Sequence, residues 1–142
     1  MKRVIIWLIL LMLLLLVISL VYRKSADVTY DLILKIENRE FEIADITAFE
    51  SIEITTNRSD TYTAYSLREI LSAKEIQPNK FSRIIFHSAD GGSLAVDISE
   101  LDNLYLVQEI QAGEKSLRLI IPTDDFSQRW LKYLIAIEFI YA

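Results

Sequence analysis

Hydrophobic and polar positions divide this sequence into one continuous apolar run and a longer stretch of short alternating segments. The run covers residues 4–22, and Ser19 is its only distinctly polar side chain before the terminal Tyr22. At about 1.5 Å per residue, a helix of this length reaches roughly 28 Å, which is close to the hydrocarbon thickness of a bilayer. The pattern therefore predicts a transmembrane anchor within residues 1–24.

A cleaved signal peptide is the alternative interpretation of the run. Lys2 and Arg3 form a basic start, and Ser25-Ala26 supplies small residues after it. Secretory apolar cores are usually shorter, at about 7–15 residues, and Arg23-Lys24 lies where a small-residue cleavage site is expected. We therefore expect an uncleaved single-pass anchor in the cell membrane. The very short N-terminal flank favours a cytoplasmic N-terminus with the domain outside the cytoplasm.

Beyond a short tether at residues 25–29, the pattern alternates with the period of β-strands. Ser66 and Glu69 form a Ser-x-x-Glu capping box that predicts a helix start, and Pro78 stops any continuation. Strands with interspersed short helices predict an α+β domain with mixed or antiparallel sheets over residues 30–142. The predicted strands are 30–36, 41–43, 51–56, 61–65, 83–88, 94–98, 104–110, 117–121 and 135–139.

The net charge and the absence of cysteine argue against several classes of function. All 20 acidic residues follow the apolar run, and four of the 15 basic residues flank it, so the domain carries a net charge of −9. A surface of this sign repels phosphate backbones and anionic lipid headgroups, which argues against nucleic-acid binding and against peripheral membrane docking. The chain has no cysteine, so disulfides, thiol catalysis and thiolate metal sites are excluded.

The C-terminal block at residues 117–139 has a specific order. Arg118 lies in an apolar strand that stops at Pro122, a polar turn follows, and the step Trp130-Leu131-Lys132 leads into the last strand. This block resembles the end of the molybdopterin-binding domain of the sulfite oxidase family. Other elements occur upstream in the family's order: a helix at 67–71, an Asp-Gly hairpin at 88–92 and a Tyr-Leu pair at 105–106. The resemblance implies a sulfite oxidase-like fold over most of residues 30–140.

The resemblance implies residues that could bind the cofactor, but the cysteine that ligates molybdenum in this family is missing. Oxidoreductases of this family hold molybdenum through a cysteine, and the corresponding region here, residues 54–66, has threonines and tyrosines instead. The candidates for cofactor binding are Arg118, Trp130, Lys132 and His87. We expect no bound cofactor, with molybdopterin as the alternative, and we assign no catalytic and no metal-ligating residue.

Each candidate also has a structural interpretation. Arg118 either grips an anion bidentately or pairs with one of the many neighbouring carboxylates. Trp130 is expected in the core or at its edge, with Lys132 extending past it to solvent. His87 is the only histidine, and no partner constellation for catalysis is visible around it, which favours a structural role.

The functional hypothesis from the sequence is a membrane-anchored, extracytoplasmic binding or accessory subunit of a membrane complex. It implies insertion in the bilayer through residues 4–22 and a membrane-protein partner. The absence of the molybdenum-ligating cysteine favours a protein that is not an enzyme. Two alternatives stay open: a cofactor-binding redox component of a membrane electron-transfer chain, and a module that binds a small anion or metabolite.

Overall fold

An apolar N-terminal helix precedes the folded domain. The structure is a computed structural model, and it describes residues 1–26 and 31–142. Helix α1 (Lys2–Ala26) is long and apolar enough to cross a membrane, and none of its apolar window is buried against the rest of the protein. The expected tether from residue 27 onward, and the expected strand start at Tyr30, lie outside the described residues.

Within residues 31–142, the domain combines nine strands with one short α-helix. The nine strands that the alternating pattern predicts are all present, each within a few residues of its expected ends. Helix α2 (Leu67–Ala73) lies between the fourth and fifth strands. The strands are β1 (Leu32–Ile36), β2 (Arg39–Ile43), β3 (Ile52–Thr55), β4 (Thr61–Ser66), β5 (Phe81–Ser88), β6 (Ser93–Asp97), β7 (Tyr105–Gln111), β8 (Glu114–Ile120) and β9 (Leu134–Tyr141).

Strand β9 organises the sheet, because it pairs with three other strands. One edge of β9 pairs antiparallel with β5 along its whole length. The other edge is shared: Leu134 pairs with Leu117 of β8, and the stretch from Ala136 pairs in parallel with β1. Strands β2-β1-β9-β5-β6 thus form one continuous set, and β8-β7-β4-β3 form a second. This mixed, mostly antiparallel arrangement confirms the α+β class.

The core contains buried side chains from both sets of strands. Phe86 of β5 and Phe139 of β9 come from the first set, and Leu106 of β7 and Leu119 of β8 come from the second. Residues of α2 complete it, because Leu67, Ile70 and Leu71 face inward as the helical spacing predicts. Burial of large apolar side chains is the main favourable term in folding, so the domain closes its core without α1.

The hydrogen bond that the capping box predicts from the Ser66 side chain is not formed. Helix α2 does begin after Ser66, but the Ser66 side chain makes no capping hydrogen bond. Ser66 is also the last residue of β4 and pairs with Tyr105 of β7. The first helical N–H, of Leu67, donates to the carbonyl of Leu104 at 3.1 Å. Strand pairing has therefore replaced the local cap at this helix start.

Candidate functional site

The segment that joins β8 to β9 folds back over the end of β8 and is named here the closing segment, residues 121–133. Trp130 is buried, and its Nε1–H donates to the carbonyl of Ile121 at 3.1 Å. The N–H of Leu119 donates to the carbonyl of Leu131 at 2.9 Å. These two bonds tie the end of the segment to its beginning, which fixes it as a compact loop.

Arg129 anchors the closing segment to a distant turn. Its guanidinium donates in two pairs, to the Asp124 carboxylate at 2.6 and 2.9 Å and to the Glu100 carboxylate at 2.9 and 3.1 Å. Glu100 belongs to a 3₁₀ turn at Ile98–Asn103 that follows β6. The hydrogen bonds to Asp124 and then to Glu100 raise the pKa of Arg129 above its already high ordinary range. This bidentate network makes the loop rigid on its polar side.

Arg118 is held in a structural pair. It lies on β8, half-buried, with Nη1 at 3.4 Å from Oε1 of Glu109 on β7. Its guanidinium carbon lies 5.8 Å from the centre of the Trp130 ring, at the distance of a cation–π contact. Nε of Arg118 is buried and has no hydrogen-bond partner among the described residues. Arg118 thus lies beside a neighbouring carboxylate, and its assignment to cofactor binding stays a prediction.

The other two candidates lie apart from this pair. His87 of β5 has Nε2 at 3.0 Å from Oε2 of Glu138 on β9. Lys132 has an exposed side chain, and its backbone carbonyl oxygen lies 2.8 Å from Ser88 Oγ. The fold therefore places the side chains of Arg118 and Trp130 in contact, and it brings Lys132 beside Ser88, the neighbour of His87. The assignment of all four residues to one binding site stays a prediction.

The geometry does not fit a pterin phosphate held by Arg118. A guanidinium that grips a phosphate must offer its donors outward, but that of Arg118 is engaged by Glu109 and covered by Trp130. Across residues 1–26 and 31–142, no three His, Cys, Asp or Glu side chains cluster as a metal site requires.

A groove of about 690 Å³ opens at the other end of β8. It forms where β8 and β1 leave the shared edge of β9, since Leu117 and Leu134 are the one residue pair that joins β8 to β9. The lining combines polar and apolar groups: Asp31, Ala89, Gln108, Gln111, Ala112, Glu114, Lys115, Ser116, Leu117, Tyr133, Leu134 and Ile135. None of the four candidates from the sequence is among them.

Sequence reasoning missed both the Arg129 network and the groove. Arg129 lies five positions after Asp124 in a polar turn, which is a weak local signal, and Glu100 is far away in sequence. The groove depends on where two strands separate, which no local pattern encodes. No family model matches the chain. A search of curated proteins also gives no match.

Proposed function

We propose that this protein is a single-pass membrane protein that presents its β-rich domain outside the cytoplasm as a non-catalytic binding or accessory subunit of a membrane complex. One observation carries the proposal. Helix α1 is apolar on all sides and buries none of its apolar window in the protein, while the domain closes a complete core without it. A helix of this kind is stable only in an apolar environment, which a bilayer supplies.

The arginine and histidine side chains that could act in catalysis are engaged in ion pairs, which supports a binding role over a catalytic one. Arg129 is engaged with Asp124 and Glu100, Arg118 with Glu109, and His87 with Glu138. General acid–base or nucleophilic catalysis needs such groups to converge beside a substrate pocket. The ionisable side chains of the groove lining are Asp31, Glu114, Lys115 and Tyr133, and none of the paired arginines or His87 is among them. These pairs instead stabilise the domain.

Phe126 is the side chain that we propose as the contact with the partner. It is 72% exposed, within the closing segment that the Arg129 network holds in place. Aromatic side chains on a rigid support lose little conformational entropy on binding and are common at the centres of protein interfaces. The domain's net charge of −9 disfavours an anionic partner surface. We therefore propose a membrane protein whose contact surface is apolar with a basic rim.

The test is recovery of the full chain from native membranes in a mild detergent. A membrane protein should co-purify with the unaltered chain, and Phe126→Ala should reduce its recovery. The matched control is Ile52→Ala, which removes another exposed apolar side chain, 43% exposed, from the edge strand β3. Recovery of a strictly monomeric chain without any membrane protein would contradict the proposal.

The orientation can be tested on the same protein. The chain has no cysteine, so Arg58→Cys places a single thiol on an exposed turn of the domain. An impermeant thiol reagent applied to intact cells should label this variant if the domain lies outside the cytoplasm. Labelling only after the cells are broken would place the domain inside and overturn this part of the proposal.

We also propose that the domain is a cofactor-free relative of the sulfite oxidase molybdopterin-binding fold. The order of elements supports this: α2, the β5–β6 hairpin, β7 and the closing segment follow one another as the resemblance implies. An experimental structure, superposed on a pterin-binding domain of that family, is the direct test. A different strand order around β9 would reject the relationship.

A further inference from the structure

Three exposed apolar residues of the domain lie at or beside the groove. Ile110, Tyr133 and Ile135 are 65%, 46% and 49% exposed. Tyr133 and Ile135 line the groove on the side of β9. Ile110 lies on the opposite side, on β7, where it pairs with the groove residue Lys115. We call these three the groove rim.

The groove includes Asp31, the first described residue of the domain after α1. Asp31 is a groove residue, and α1 ends at Ala26, only five positions earlier. Covalent geometry limits the distance between these two residues to at most about 18 Å, whatever path the chain takes. The helix adds about 6 Å between Tyr22 and Ala26. The groove residue Asp31 therefore lies within about 24 Å of the end of the apolar run. The layer of lipid headgroups occupies part of that distance.

The chemistry of the rim matches the interface between water and lipid. Tyrosine is enriched at that interface because its ring is apolar and its hydroxyl is polar. The charged residues of the groove are Asp31, Glu114 and Lys115, which give no excess of positive charge for anionic headgroups. Contact through isoleucine and tyrosine does not require anionic lipid.

We infer that the groove rim of Ile110, Tyr133 and Ile135 rests on the bilayer interface and so fixes the orientation of the domain on the membrane. The inference rests on the proposed membrane anchoring by α1. It goes beyond that proposal by assigning the groove end of β8 to the lipid and the Phe126 end to partners. A domain held in this way presents the closing segment at a fixed height and direction.

The test uses the full chain in nanodiscs of phosphatidylcholine, with one fluorescent label per variant. Ile110→Cys and Ile135→Cys place the label on the rim. Arg58→Cys is the control, because the neighbouring Asn57 N–H bonds the carbonyl of Pro122, at the opposite end of β8. Nitroxide-bearing lipid reports contact with the bilayer, and iodide reports contact with water. Incorporation of the protein into the nanodisc is measured separately and tests the anchoring alone.

Rim labels should be quenched more by the nitroxide lipid and less by iodide than the label at position 58, with a blue shift of their emission. Adding phosphatidylglycerol should keep this order among the labels, while repulsion from the domain's net charge of −9 should lower lipid quenching at all of them. Equal quenching at all three positions would overturn the inference while leaving the anchoring intact. Rim labels shielded from both quenchers would overturn it too, because protein would then cover the groove.

A second variant separates contact from mere proximity. With a label at Lys132→Cys, an exposed position beside Tyr133, the double substitution Ile110→Ser and Ile135→Ser removes apolar surface without disturbing the core. Quenching of this label by the nitroxide lipid should fall in the double variant. Unchanged lipid quenching would show that the tether alone brings the domain near the bilayer, and the inference would fail.

Discussion

Strand β8 is closed at one end and open at the other. At its C-terminal end the closing segment bonds back to Leu119 and Ile121, and Arg129 fastens it to Glu100. At its N-terminal end a single pair, Leu117 with Leu134, joins β8 to β9 before the strands separate around the groove. The hydrogen bonds and ion pairs are therefore concentrated at the C-terminal end of β8, and its N-terminal end is left accessible.

The two ends also differ in the kind of exposed apolar residue that they present. Phe126 at the closed end is a single aromatic side chain on a rigid loop. The groove rim at the open end is a set of three apolar residues at or beside the groove. A single anchor on a fixed support suits a specific protein contact, and a broader apolar rim suits a fluid surface.

Removal of Trp130 is expected to have the largest effect on the difference between the two ends of β8. Trp130→Ala should lower the free energy of unfolding by about 3–5 kcal/mol, because it leaves a cavity beneath the closing segment. It also removes the ring contact with Tyr62 and the hydrogen bond to Ile121. Urea unfolding of the full chain in detergent, followed by the near-UV dichroism of its tyrosines, measures the change.

Trp130→Phe is the matched control, since it keeps most of the ring and loses the N–H donor. Its expected cost is smaller, about 1–2 kcal/mol, because it leaves the Ile121 carbonyl without this donor. If both variants were as stable as the unaltered chain, the closing segment would not be the rigid end of β8.

A smaller effect is expected at Arg129. Arg129→Met keeps a long apolar stem and removes both bidentate pairs, and the expected loss is about 1 kcal/mol, since the group is partly exposed. Because the pairs raise the pKa of Arg129, their contribution is fully present below its ordinary value and is lost only far above neutral pH. Urea unfolding near neutral pH at low and high salt is the measurement.

Arg129→Lys separates charge from geometry, because lysine keeps the charge and loses the planar fork. It should fall between the unaltered chain and Arg129→Met, with a loss that shrinks as salt is added. A loss for Arg129→Met that does not change with salt would point to packing in place of the ion pairs.

The smallest effect concerns the open end, at Asp90 in the β5–β6 hairpin beside the groove. Hydrogen bonds from Ser88 Oγ and then from the N–H of Gly92 lower the pKa of Asp90 below its ordinary value of 3.8. A lowered pKa means that the carboxylate stabilises the fold above the ordinary value and that this contribution is lost as pH falls through the folded value. Asp90→Asn should therefore lower the thermal midpoint at about pH 7 and make little difference at about pH 2.

Asp60→Asn is the control, because Asp60 is an exposed carboxylate in the β3–β4 turn. Its thermal midpoint at neutral pH should change less than that of Asp90→Asn. A constant gap between Asp90→Asn and the unaltered chain across the acid range would rule out the carboxylate as the cause.

Much of the fold follows from local pattern. Alternation predicts β1 and β7 because side chains on a half-buried strand point to opposite faces in turn. The apolar spacing at Leu67, Ile70 and Leu71 predicts the inward face of α2. The failure at Ser66 is instructive, because its capping interaction competes with a strand partner that lies far away in the sequence.

The candidate site was less predictable. For Arg118, a choice between ligand and carboxylate was visible, and the structure places the Glu109 carboxylate beside it on the neighbouring strand. No pattern in the sequence marks Arg129 as part of a network, since its second partner, Glu100, comes from a turn after β6. Long-range pairs of this kind have no periodic signature.

By itself, the sequence determined the apolar helix, the strands and the acidic charge of the domain, because hydrophobic period and composition act locally along the chain. Tertiary structure alone decided that β1 joins β9 in parallel and that β8 meets β9 at one pair. The groove and the Arg129 network follow from that arrangement. Both depend on which distant strands share an edge, and that choice is made by packing of the whole core.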